Sequence, residues 1–112
     1  MMATPIEIND ILVYLSRTYP SQTRGDRTFL TEEVIQVYEE MLADMPADTL
    51  WLLAFRHVRE GNEFFPSVAQ LCRQTSGLMM ASFAECAWLR RQAEKYEFEL
   101  SAVVLSDEIF ER

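Results

Sequence analysis

The chain lacks any stretch of about twenty apolar residues, so no segment of it reads as a membrane span. It is poor in lysine, with Lys95 alone against nine arginines, and it holds one histidine, His57, and two cysteines, Cys72 and Cys86. Ten cations face eighteen carboxylates, which leaves a net charge of −8 and a sequence pI of about 4.6. Nucleic-acid affinity rests on clustered Lys and Arg, so a broad phosphate-binding surface is excluded and direct binding of duplex DNA is not expected. The cysteines stand in no CxxC and near no histidine pair, which reads as buried, reduced thiols in an intracellular protein. The N-terminus shows no charged region followed by an apolar one, so no signal peptide is expected.

Catalytic signatures are missing as well. There is no Walker-type GxxxxGK, no GxGxxG, GxSxG or HExxH, and no zinc-finger spacing. His57, with Glu60 one turn later and Glu63 in the following loop, offers too few ligands from one helix end for a metal site and reads as a helix-surface histidine. The acidic pairs Glu32-Glu33, Glu39-Glu40 and Asp107-Glu108 are adjacent in sequence, so on a helix they do not face one another. They suit a solvated face rather than the cleft of a two-carboxylate hydrolase. Arg56, Arg59 and Arg73 form at most a small basic patch, and in an acidic chain they are expected to pair with nearby carboxylates. The expectation is a protein that is not an enzyme and carries no metal or cofactor.

Helix punctuation is what the sequence has in abundance. Thr4-Pro5-Ile6-Glu7, Ser67-Val68-Ala69-Gln70 and Ser82-Phe83-Ala84-Glu85 each read as a capping box, in which a hydroxyl and a Glu or Gln three residues later satisfy helix-start amides reciprocally. Pro5 adds a fixed φ at a first helical position. A chain of 112 residues with 49% apolar and 12% aromatic content suffices for one domain with a packed core.

The first helix is predicted over 5–18, with Ile8, Ile11, Leu12 and Leu15 as one apolar stripe and Tyr19-Pro20 as its stop. A polar loop over 21–28 follows. The second helix is predicted over 32–44, capped by Thr31, with Val34, Val37, Tyr38, Met41, Leu42 and Met45 on its buried face and Pro46 at its end. The third is predicted over 48–60. Leu50, Trp51, Leu53, Ala54, Phe55 and Val58 cover more than half of its circumference, which makes it the central helix, and Gly61 suits its C′ position. A short fourth helix is predicted over 68–75, with Val68, Leu71 and Cys72 inward. A fifth is predicted over 83–97, with Phe83, Ala84, Ala87, Trp88, Arg91 and Tyr96 at near-helical spacing. The segment 100–110 is compatible with a sixth helix, and its Val103-Val104 pair also with extended structure. The fold class is therefore all-α, a compact orthogonal bundle of five or six short helices. Residues 1–76 form a four-helix core and residues 77–112 a C-terminal segment that either packs on that core or binds a partner.

Large apolar side chains near loop tips and the chain end are the residues most open to a role in binding. Phe64, Phe65, Met79 and Met80 either anchor a protein partner or fold back to close the core at the corner between the third and fourth helices. Leu100, Val103, Val104, Ile109 and Phe110 either dock as an amphipathic segment into a partner's groove or complete the core against the fifth helix.

Tyr19-Pro20, the helix from Val34 to Leu42, the apolar helix from Asp48 to Val58 and the run Phe64-Phe65-Pro66-Ser67-Val68-Ala69-Gln70-Leu71 together resemble the phage replicative-helicase loader and inhibitor family over roughly residues 8–75. That family has a small helical N-terminal domain. Its first helix ends in an aromatic-Pro, its second carries an inward aromatic, its third is apolar, and an FPP-like corner opens its fourth. Ser67 stands where the family has a second proline, and Tyr38 where it has a tryptophan; the first still caps a helix and the second still fills the core. The resemblance implies a protein–protein adaptor of phage or bacterial DNA replication that binds a hexameric replicative helicase and loads or inhibits it, in the cytoplasm of a bacterial host. It also implies helicase contact through the portion after Gly77, although Trp88 and the capping box at Ser82 promise more order there than the family's flexible tail. The alternatives are an unrelated small helical regulatory protein and a small-ligand-binding domain with a pocket lined by Trp51, Trp88 and methionines. The oligomeric state is left open.

Overall fold

The three reciprocal caps set three of the helix starts. Glu7 N donates to Thr4 Oγ1 (3.2 Å) while Thr4 N donates to Glu7 Oε1 (2.9 Å). Gln70 N donates to Ser67 Oγ (3.1 Å) and Ser67 N to Gln70 Oε1 (2.8 Å). Glu85 N donates to Ser82 Oγ (3.3 Å) and Ser82 N to Glu85 Oε1 (2.9 Å). Each pair satisfies amides that have no partner inside the helix. The computed structural model describes residues 2–20, 30–73, 80–100 and 104–105. Among these residues the fold is all-α, a small bundle of α1 (Pro5–Thr18), α2 (Glu32–Leu42), α3 (Ala47–Arg59), α4 (Val68–Arg73) and α5 (Phe83–Tyr96). Two two-residue strands, β1 (Met80–Ala81) and β2 (Val104–Leu105), pair in parallel with Met80 opposite Val104 and Ala81 opposite Leu105. At 104–105 the open choice between helix and extended chain is thus resolved as extended. The predicted polar loop over 21–28 lies outside the described residues.

α3 is central because almost every side of it is apolar and small enough to be approached. Leu50, Trp51, Leu52, Leu53 and Ala54 are all buried, as are Ala47 and Thr49 in its first turn. It packs against α1, α4 and α5, while α2 bridges α1 and α4. Burying each large aliphatic or aromatic side chain stabilises the fold by about 1.5–3 kcal/mol, so these consecutive core residues concentrate the hydrophobic driving force in one helix. Leu52 belongs to this core although the predicted stripe omits it, whereas Phe55 and Val58 are only half-buried. Pro46 opens α3 without a side-chain cap. Gly61 follows its end at φ +80, the left-handed geometry expected of a C′ glycine.

Two predicted faces are corrected. On α2, Tyr38 and Leu42 are buried, and so is Met45 just beyond it, but Val37 is 46% and Met41 54% exposed. Among the described residues its main contacts are with α1 and α4, which leave part of an apolar stripe that wide uncovered. On α5 the buried residues are Glu85, Cys86 and Leu89, with Ala93 and Tyr96 packed beside them, while Phe83, Ala84 and Arg91 are exposed. The stripe is displaced toward Cys86, Leu89, Ala93 and Tyr96 because Glu85 turns inward to meet Arg56 of α3. Neither cysteine is in a disulfide among the described residues; Cys86 is buried, but Cys72 is only half-buried.

Rings fill the seam between α3 and α5. Trp51 stacks on Tyr96 (centroids 4.9 Å apart, planes 23°) and on Phe98 (6.3 Å, 10°), and meets Trp88 edge-on at 6.0 Å. Tyr14 of α1 closes the cluster against Trp51 and Trp88. Phe55 stacks on Trp88 at 4.4 Å. Trp51 is 0% exposed and, among the described residues, its Nε1 has no hydrogen-bond partner, a desolvation cost that the packing must offset.

Candidate functional site

The corner between α3 and α4 is built around three backbone carbonyls, each held by a different side chain. Tyr19 Oη, at the end of α1, donates to the Asn62 carbonyl (2.9 Å). Tyr38 Oη, from the buried side of α2, donates to the Pro66 carbonyl (2.8 Å). His57 Nε2, in the last turn of α3, lies 2.6 Å from the Phe64 carbonyl, which can only accept, so this nitrogen carries the proton. Asn62 Nδ2 returns a bond to the His57 carbonyl (2.8 Å). Burial pushes the Tyr38 hydroxyl up to about 12 and raises that of Tyr19, so both stay protonated donors at neutral pH.

Phe65 is the ring this scaffold encloses. It is 7% exposed and meets Tyr19 and Tyr38 edge-on at 6.3 and 6.2 Å, while Tyr19 also meets His57 at 6.0 Å. Phe65 is therefore a core residue, the second of the two readings that the sequence left open for it. His57 is corrected: it is buried, because a loop carbonyl supplies the acceptor its ring nitrogen needs inside the fold. Phe64 takes the opposite direction. Its carbonyl is tied inward and its ring is 70% exposed, on backbone gripped from both sides.

A second feature lies between the end of α3 and the start of α5. Arg56 grips Glu85 through two bonds, Nε to Oε2 at 2.6 Å and Nη2 to Oε1 at 3.1 Å. Burial alone raises the Glu85 carboxyl, but the Arg56 guanidinium and the Ser82 backbone and side chain outweigh it and hold it down to about 2. The Glu85 hydrogen bond raises Arg56 in return, against its own burial. An open cleft of about 420 Å³ beside this pair is lined by Arg56, Arg59, Glu60, Ser82 and Glu85. Arg59 lies over the Phe55 ring at 5.8 Å. Pairing with a carboxylate thus holds for Arg56, and the side chain of Arg73 lies outside the described residues. The cleft is polar and its lining includes no tryptophan or methionine; around Trp51 and Trp88 the space is filled by rings. Among the described residues no group of three or more His, Cys, Asp and Glu is placed to hold a metal ion, and no helix is long and apolar enough to cross a membrane.

No family model, curated protein or solved structure matches the chain.

The sequence-predicted contact residues do not gather in one place. Phe64 stands alone at its corner. Leu100 is half-buried and packed on the core. Met80 and Val104 are opposite one another in the strand pair. Met79, Val103, Ile109 and Phe110 lie outside the described residues. Sequence reasoning missed the trio of Tyr19, Tyr38 and His57, since each acceptor is a backbone carbonyl with no sequence signature. It also missed the exposed pair Val37 and Met41, although the acidic residues interleaved with them on α2 were a signal that this side faces water.

Proposed function

We propose that the chain is a non-enzymatic protein–protein adaptor of phage or bacterial DNA replication, which binds a replicative helicase and loads or inhibits it. The resemblance over residues 8–75 supplies the partner. The observation that carries the reading is the corner, where Phe64 presents a large exposed ring on backbone immobilised by Tyr19, Tyr38 and His57. An aromatic anchor held this way loses little conformational freedom on binding. The net charge of −8 suits a basic surface on the partner, speeds the encounter and disfavours duplex DNA. Displacement by a replication-origin protein would then release the helicase.

The test is isothermal titration of the purified chain with a bacterial hexameric replicative helicase. A stoichiometric complex that Phe64→Ala weakens by at least about tenfold, at unchanged Tm, is the expected result. Failure to form any complex overturns the helicase assignment. The polar cleft at Arg56 and Glu85 favours a second reading, a small-ligand-binding domain, which a small molecule copurifying with the chain would support.

A further inference from the structure

We propose that the outer face of α2 docks a basic amphipathic helix of a partner protein. Val37 and Met41 meet its apolar side, and Glu33, Glu40 and Asp44 meet a row of its cations. The inference rests on the reading of the chain as a protein–protein adaptor and names a second surface for it. Val37 and Met41 are one turn apart on the same side of α2 and both are about half exposed. Helical spacing sets half-buried Val34 beside them, and the thiol of half-buried Cys72 in α4 reaches the Met41 carbonyl at 3.9 Å. The apolar surface therefore continues from the contact with α4 onto the outer face.

On its other side lies a line of carboxylates. Helical geometry sets Glu33 and Glu40 within about 20° of one another around the axis, about 10 Å apart along it, and Asp44 follows in the turn just beyond the end of α2. All three are exposed, and the ion pair among the described residues is elsewhere, between Arg56 and Glu85. Among the described residues, Gln36 Nε2 approaches one of them, Glu40 Oε1, at 3.4 Å. A face that served solvation alone would not need the apolar ridge. A ridge that served self-association through an antiparallel two-fold pair would bring this carboxylate edge against its own copy, where like charges repel. Anionic lipid and nucleic acid are repelled for the same reason. What remains complementary is a helix with an apolar stripe bordered along one edge by Lys or Arg at one- and two-turn spacing, a ridge-on-helix mode of recognition.

The probe is a synthetic helical peptide with a leucine stripe bordered by lysines, and its control replaces those lysines by glutamates. Amide and methyl NMR shifts on the full chain should change at 33–44 and 68–72 with the lysine peptide and not with the control. Val37→Ser with Met41→Gln leaves the charge untouched and alters exposed side chains only, so Tm should hold while affinity falls by at least about tenfold. Glu33→Gln with Glu40→Gln and Asp44→Asn should weaken binding and flatten its salt dependence. Peptide binding that ignores the apolar pair, shift changes that map elsewhere, or a concentration-dependent dimer abolished by the apolar pair each overturns the proposal. If the peptide docks on α2 but no helicase complex forms, the helicase assignment alone has failed. If Phe64→Ala weakens a helicase complex while Val37 and Met41 prove irrelevant to the peptide, the α2 surface alone has failed.

Discussion

The α3–α4 corner and the α3–α5 seam are joined to the same central helix by different physics. At the corner, Tyr19, Tyr38 and His57 each reach one backbone carbonyl of residues 62–66, so the loop is fixed by direction as well as by packing. At the seam, Trp51 stacks on Tyr96 and Phe98 and meets Trp88 edge-on, its indole has no polar partner among the described residues, and one bidentate ion pair closes the end. Hydrogen bonds contribute little net energy but specify one geometry, whereas ring burial contributes much and tolerates small shifts. The seam should therefore dominate stability. The corner should dominate the precision with which Phe64 is held.

Trp51→Ala is the largest expected effect. It removes the ring on which Tyr96 and Phe98 stack and should cost on the order of 3–5 kcal/mol in chemical denaturation. A loss under about 1 kcal/mol would mean that the seam is not the main source of stability, and the comparison would break.

How much of this was legible in the sequence depended on the distance between the partners. The capping boxes were fully legible, since donor and acceptor are three residues apart and the motif is its own context. The central place of α3 was legible from its apolar width. The inward face of α5 was not, because Glu85 is set by Arg56, which lies 29 residues away. His57 was misplaced for the same kind of reason: its partner is the carbonyl of Phe64, a backbone atom that any residue would supply. The division of the Phe64-Phe65 pair into an exposed ring and a buried one was open in sequence, and was decided by where Tyr19 and Tyr38 stand. Pairing of β1 with β2 links residues 24 apart through two-residue strands too short to leave a pattern.

Glu85→Gln sharpens the seam's side of the comparison. Glutamine keeps the capping role at the third position of α5 and removes the charge. Arg56 keeps access to water, so the expected cost at pH 7 is about 1–2 kcal/mol, below the value for a fully buried pair. The pH dependence carries a sign. Glu85 is held down to about 2 from an ordinary value of 4.5, so its contribution is present above about pH 4.5 and is lost as the pH falls toward 2. A thermal-denaturation series across that window should show a loss in the parent chain that is smaller in the Gln variant. Equal acid sensitivity in both would remove the ion pair from the account of the seam.

Tyr38→Phe is the smallest expected effect and tests the corner. The ring and its contact with Phe65 persist, and only the bond to the Pro66 carbonyl is lost. The expected cost is about 0.5–1.5 kcal/mol, the net worth of one neutral hydrogen bond. The sign at high pH is opposite to that of Glu85. Burial raises the Tyr38 hydroxyl from 10.0 to about 12, so the folded state holds its proton more tightly than the unfolded chain. That stability is complete below about pH 10 and is lost as the pH rises toward 12, a loss the Phe variant should not show. The diagnostic readout lies beyond stability. If the corner is a mount, Tyr38→Phe should increase amide hydrogen exchange at 62–66 far more than at α5, whereas Trp51→Ala should raise exchange on both sides of α3. Uniform loosening by Tyr38→Phe would make the corner an ordinary part of the core, with Phe64 exposed by accident of the chain path.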